Sequence, residues 1–241
     1  MKYSIQTTSD YSYFIFLKIL VNSILDKCNL DHLNKIYVID TGMDSAQLEY
    51  LKKRSSHIEI ITTGLSTNFK GGTWGEDWQK NVKGKTVHLY DIVSKIQEPL
   101  LMLDADMMVM NDIYPLLEQG GDLQVCVRPN NPNAKYIGSY FFSIDHKKIL
   151  PFIKEWKDLT QGSSGKGAHE SPALTKTVEK YKNQLNIIEI EQDIVNRINY
   201  PALDKTIIVH FKGTRISDDI NEAMHARLID RGWSKEIESY V

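Results

Sequence analysis

Leu100-Leu101-Met102-Leu103-Asp104-Ala105-Asp106-Met107-Met108-Val109-Met110 is the stretch from which the fold is read. An apolar run entered from Pro99 and ending in carboxylates has the character of a buried strand in a parallel sheet. Side chains alternate along a strand, so Asp104 and Asp106 are expected on one face at its carboxyl end. Open α/β sheets place their ligands there. Two carboxylates held close together repel and do not both stay ionised without a cation. Hard divalent ions such as Mn²⁺ or Mg²⁺ take oxygen ligands of this kind and bridge to phosphates. The plainer alternative is a strand that ends in two solvated acids.

Upstream of this stretch, a helix is expected over Lys85–Ile96, with Leu89, Val93 and Ile96 on its inner stripe. Leu65–Gly84 lacks a periodic pattern, holds Gly71-Gly72-Thr73-Trp74-Gly75 and Trp78, and reads as a mobile flap near a ligand. Still earlier come a strand (Lys2–Thr8, running into the polar turn Thr7-Thr8-Ser9-Asp10), a helix (Ser12–Asp26), a strand (Ile36–Asp40), a helix (Ser45–Arg54) and a strand (Ile58–Thr62). This β-α-β-α-β order, with right-handed crossovers, predicts a doubly wound, nucleotide-binding half.

Downstream, Asn111 or Asp112 caps a short helix that stops at Gly120-Gly121. A strand (Leu123–Val127), a turn (Pro129–Asn133), a strand (Tyr136–Ile144) and a helix (His146–Leu159) follow. Gly138 inside a strand signals close approach of a ligand or backbone. Gln161–Gly167 has the composition of a second mobile loop. It leads to His169-Glu170-Ser171-Pro172 at the start of a helix reaching Lys182. Strands at Asn186–Ile190 and Thr206–Val209 complete the pattern, the last ending at His210-Phe211-Lys212-Gly213-Thr214-Arg215. From Asp218 onward a capped amphipathic helix is expected.

The 241 residues suit one α/β domain: a nucleotide-binding half (1–106), an acceptor half (107–215) and a carboxyl-terminal helix (216–241). A net charge of −2 and a pI near 6.4 give no electrostatic reason to expect nucleic acid or an anionic membrane. Cys28 and Cys126 lack CxxC spacing and read as reduced core thiols, which implies a cytoplasmic protein. Tyr13–Leu25, the most apolar segment, is broken by Lys18, Asn22 and Ser23, so no membrane span is expected, and polar Gln6–Asp10 between Lys2 and that segment argues against a signal peptide.

Three features join the two aspartates as candidates for chemistry. His210, at the end of an apolar strand, is either a ligand to the same ion or a hydrogen-bonded structural residue. Lys212, Gly213 and Arg215 form a basic turn that can neutralise a diphosphate or simply lie in solvent. Glu170, at a helix start, either complements the helix dipole or acts on a substrate hydroxyl.

With these residues in place, the chain resembles the GT-A glycosyltransferases: a strand-end Asp104-Ala105-Asp106, and about a hundred residues later a strand-end His210 with Gly213. It is most similar to the family 8 type, which includes glycogenin and bacterial lipopolysaccharide galactosyltransferases. The resemblance covers most of the chain and implies a Rossmann-like, mixed but mostly parallel sheet flanked by helices. It also implies transfer of a sugar from a nucleoside diphosphate donor, UDP-linked in the first instance, to a hydroxyl of a glycan, lipid-linked saccharide or protein. By the same resemblance, Asp104, Asp106 and His210 hold Mn²⁺ or Mg²⁺. The donor set is Thr7, Thr8, Tyr11, Asp40, Lys85, Asp104, Ala105, Lys212, Gly213 and Arg215. Gly138, Ser139 and His169 face the acceptor. Glu170 and Ser171 stand where the family carries an Asp-Gln pair near the anomeric centre, and the Lys-Pro-Trp that usually follows the final His is absent.

Rival readings use the same residues. Gly84-Lys85-Thr86 before a helix resembles part of a P-loop, although Gln79 stands where the first glycine is needed. Haloacid dehalogenase-like phosphatases carry a similar Asp pair, normally on the first strand of the domain, whereas here it is on the fourth. Trp74-Gly75-Glu76-Asp77 resembles a base motif of some inverting transferases but precedes the Asp pair instead of following it. A sugar-nucleotide binder without turnover is the non-enzymatic alternative.

Overall fold

The structure, a computed structural model, describes residues 1–64, 76–128, 130–164, 169–211, 229 and 232–241. Among these, nine strands build two sheets. The large one contains β1 (Tyr3–Ser9), β2 (Leu33–Asp40), β3 (Ile58–Thr62), β4 (Leu100–Leu103), β6 (Leu123–Val127), β7 (Tyr136–Ser143) and β8 (Ile187–Glu191). Their order is β3-β2-β1-β4-β7-β6-β8. Only β7 runs against its neighbours, pairing antiparallel with β4 and β6, while β1–β4 and β6–β8 pair in parallel. The small sheet pairs β5 (Met107–Val109) with β9 (Ile208–His210). This is the mixed, mostly parallel α/β architecture expected from the sequence.

Both faces of the large sheet are covered, which is why β4 reads as an unbroken apolar run. Helix α1 (Phe14–Lys27) lays Leu17, Leu20, Val21 and Ile24 on Ile5, Leu101 and Leu103. On that side α2 (Ser45–Arg54) adds Leu51 and α4 (Tyr114–Leu117) adds Leu116 and Leu117. The opposite face carries α3 (Glu76–Val93), α5 (His146–Gly162) and α6 (Glu170–Tyr181). Leu89, Phe152, Trp156 and Leu174 pack there against Leu100, Met102 and Phe141. A third cluster joins Phe16 and Ile19 of α1 to Met108, Val209, Phe211, Trp233, Ile237 and Tyr240. It seats the small sheet, with α7 (Gln192–Val195) before β9 and α8 (Ser234–Ile237) near the carboxyl end.

Several boundaries differ from the sequence expectations. Strand β4 stops at Leu103, so Asp104-Ala105-Asp106 is a turn between two sheets and not the end of a longer strand. The apolar residues that follow serve the small sheet. Thr7 and Thr8 lie inside β1, opposite Val38 and Ile39. Helix α3 starts at Glu76, not Lys85, and Leu65–Gly75 lies outside the described residues. Its first half is fastened by polar bonds: Asn81 donates to Asp10 (3.2 Å), and Gln161 donates to the Lys83 carbonyl (2.9 Å). Among the described side chains of that half Val82 is the buried apolar one, too little for a stripe to be read. This register puts Gly84-Lys85-Thr86 in mid-helix, which excludes a phosphate-binding loop there. Gln161 and Gly162 continue α5, while 165–168 lies outside the described residues. The expected helix from Asp218 falls on undescribed residues as far as 228, and the described end holds only α8.

Candidate functional site

The turn after β4 is held from both sides. The Asp104 N–H donates to the Ser139 carbonyl (3.2 Å), and the Asp106 carbonyl accepts from the Phe211 N–H (2.8 Å). In the small sheet Met107 faces His210. One backbone turn thus brings two carboxylates to the imidazole of a strand more than a hundred residues later. His210 Nε2 lies 3.2 Å from Asp106 Oδ1 and 4.0 Å from Asp104 Oδ2. Atoms of all three side chains lie within 4.8 Å of one another. Two carboxylate oxygens and an imidazole nitrogen are a donor set that Mn²⁺ accepts and Mg²⁺ tolerates. These residues can therefore hold a divalent ion.

Beside this cluster lies a second charged group. Lys85 Nζ reaches Asp104 Oδ1 at 2.6 Å and Glu170 Oε1 at 3.0 Å, with the three side chains only 10–17% exposed. Burial disfavours the Lys85 ammonium, but Asp104 and then Glu170 outweigh it and hold its pKa above the ordinary lysine value. Burial also raises the Asp104 carboxyl. Lys85 offsets part of that rise and Asp106 adds to it. For Glu170, burial works upward, yet Lys85 and then His169 prevail and keep the group below the ordinary glutamate range.

Glu170 is positioned by close backbone approach. Strand β7 is bulged: Val125 of β6 faces Phe141, while Cys126 faces Ile137. Bulges next to sites re-aim side chains. Within this one, an added Cβ on Gly138 would stand 2.1 Å from Glu170 Cγ. The close approach expected of Gly138 is thus filled by the Glu170 side chain. The Gly138 N–H donates to Ser171 Oγ (3.1 Å), and Trp156 Nε1 donates to the Glu170 carbonyl (2.9 Å). His169 caps α6, with Nδ1 accepting from the Ser171 N–H at 3.4 Å.

Other expected site residues fall into four groups. Thr7 and Ser139 are buried on their strands, and neither hydroxyl has a partner among the described residues. Tyr11 is 45% exposed just beyond β1. Asp40 Oδ1 accepts from the N–H groups of Gly42 (2.9 Å) and Met43 (2.8 Å), so it shapes the turn after β2. Lys212, Gly213 and Arg215 lie outside the described residues. Sequence reasoning missed Asn196, whose Oδ1 lies 2.6 Å from His210 Nδ1. It follows a four-residue helix, and nothing in its neighbours marks it.

Comparison with known proteins agrees with this fold. The chain belongs to the nucleotide-diphospho-sugar transferase family, whose family model matches residues 32–236. Among solved structures, the apo form of WbbM, a bifunctional glycosyltransferase, is similar in fold, with a TM-score of 0.64 at 11% sequence identity. The match covers 99% of this chain and 51% of that one, so the chain spans about half the length of that protein. No curated protein sequence matches the chain. Among the described residues, no helix is long and apolar enough to cross a membrane.

Proposed function

We propose that this chain is a metal-dependent glycosyltransferase of the family 8 type, moving a sugar from a nucleoside diphosphate donor, UDP-linked in the first instance, to an acceptor hydroxyl. The observation that carries the reading is the Asp104–Asp106–His210 cluster beside the Lys85–Glu170 pair. Mn²⁺ or Mg²⁺ held by that cluster supplies Lewis-acid stabilisation of the departing diphosphate. Thr7, Thr8, Tyr11, Asp40 and Ala105 border the nucleoside, while Lys212 and Arg215 neutralise the diphosphate and Gly213 lets backbone N–H groups approach it. Lys85 fixes Asp104 and Glu170 relative to each other. Glu170 accepts a hydrogen bond from a substrate hydroxyl with Ser171 beside it, and Gly138, Ser139 and His169 border the acceptor, a glycan, lipid-linked saccharide or protein.

A thermal-shift screen of UDP-, GDP- and dTDP-sugars with and without Mn²⁺ tests the donor assignment. A ligand at ~100 times its Kd stabilises by about 2.7 kcal/mol. Stabilisation by one donor only when the metal is present is the expected result. Release of radiolabelled sugar then separates a transferase from a protein that only binds. Asp104→Ala and Asp106→Ala should each abolish turnover and leave the fold intact, because each removes one of two repelling carboxylates and Lys85 keeps Glu170 as its partner at 3.0 Å when Asp104 is lost. Metal-dependent donor binding that survives both changes would overturn the assignment.

A further inference from the structure

The two ring nitrogens of His210 face different partners. Nε2 faces the carboxylates, 3.2 Å from Asp106, whereas Nδ1 lies 2.6 Å from Asn196 Oδ1. Asn196 is completely buried, and its Nδ2 has no partner among the described residues. Leaving a buried donor idle is costly, so the useful part of this side chain is its acceptor oxygen. The backbone fixes the pair as well. The His210 N–H donates to the Arg197 carbonyl (2.8 Å), and the Arg197 N–H donates to the Ile208 carbonyl (3.3 Å). Asn196 closes the short helix α7 by donating its N–H to the Gln192 carbonyl (2.9 Å). Amide and imidazole are therefore held in one register.

We propose that Asn196 is a positioning residue that accepts a hydrogen bond from the Nδ1–H of His210, so that Nε2 presents its lone pair to an ion shared with Asp104 and Asp106. The inference rests on reading that cluster as a metal site. In the opposite tautomer Nε2–H would donate to Asp106 and have no lone pair to offer. A partner on the far ring nitrogen is the usual means of fixing a ligating imidazole. Here the partner is a neutral amide. With Asp104, Asp106 and Glu170 already present, the amide orients the ring without adding another negative charge.

The test is Mn²⁺ affinity, read from the paramagnetic resonance of the free ion, for wild type, Asn196→Leu, Asn196→Asp, His210→Ala and the Asn196→Leu/His210→Ala double variant. Asn196→Leu should weaken binding about 10–100-fold. Asn196→Asp keeps the acceptor and should stay within a few-fold of wild type. In the His210→Ala background Asn196→Leu should have no further effect, since the residue acts through the imidazole. If Asn196→Leu does not fold, Asn196→Ser, which is too short to reach Nδ1, takes its place. Nitrogen resonances of the Mg²⁺-loaded wild type should show a proton on His210 Nδ1. Wild-type affinity in Asn196→Leu, loss in Asn196→Asp equal to that in Asn196→Leu, or an undiminished effect without His210 would each overturn the proposal. Wild-type Mn²⁺ affinity in His210→Ala would instead overturn the metal reading beneath it.

Discussion

Replacing Gly138 by alanine adds one carbon where the site has no room for it. The new Cβ would lie 2.1 Å from Glu170 Cγ and 3.2 Å from its Cβ and Cδ, where unstrained carbons sit about 3.5–4.0 Å apart. Glu170 cannot retreat as a whole, because Trp156 holds its carbonyl and Ser171 is tied to Gly138 itself. The side chain must swing away, losing its 3.0 Å contact with Lys85. Overpacking of this kind costs about 1–3 kcal/mol. Parting a buried ion pair costs up to about 3–5 kcal/mol. That second cost is reduced here because Lys85 keeps Asp104 at 2.6 Å. We expect a loss of about 2–4 kcal/mol in total, read as a lower melting temperature at about 2–4 °C per kcal/mol for a chain of this size. Sugar transfer should fall about 100-fold, as misplacement by about 1 Å can cause. The control is the Glu170→Ala background, where the space is vacated and Gly138→Ala should cost about 1 kcal/mol or less. An equal cost with and without Glu170 would refute the reasoning.

Lys85→Met leaves two carboxylates facing each other in a half-closed place, and should destabilise the metal-free protein by about 3 kcal/mol or more. Adding Mn²⁺ should recover part of that loss, and melting curves that shift equally with and without the ion would count against the arrangement. Asp122 answers to acid. Burial opposes its charge, but Lys148 and the Asn186 N–H outweigh burial and lower its pKa. A carboxyl with a lowered folded-state pKa contributes stability above its unfolded value, and that contribution disappears as the pH falls through the folded value. The melting difference between wild type and Asp122→Asn should therefore be present at pH 6, about 1 kcal/mol or less given the exposure of Lys148, and absent well below pH 3.

The large sheet was legible because its strands are bounded by turns and its buried faces are written as apolar runs. Leu100–Leu103 and Leu123–Val127 are examples, and Ser45–Arg54 carries a capping box from Asp44 to Gln47. The grouping of Asp104 with Asp106 was also legible, although for a different reason. Strand alternation predicts it, whereas a turn between two sheets produces it. What could not be read was structure fastened by polar contacts. The first half of α3 is one case. Asn196 is another, since the meaning of a single amide depends on a partner fourteen positions away. Gly138 advertised a close approach, but a glycine cannot say what approaches it.

The small sheet has a consequence for the order in which the molecule assembles. Asp106 and His210 are 104 positions apart, and the strands that join them have three residues each. A ladder that short is marginal on its own. It is sustained by Phe16, Trp233, Ile237 and Tyr240 packed against it, with the Tyr240 carbonyl accepting from Asn22 (3.1 Å) and its hydroxyl donating to Asp26 (2.6 Å). Segments of this kind open more readily than the central strands of a large sheet. An ion that binds only the joined form acts as a clasp. It should slow amide exchange at Val109 and His210 while leaving Ile5 and Val38 unchanged. Metal occupancy and the joining of β9 to β5 would then be one equilibrium seen from two sides.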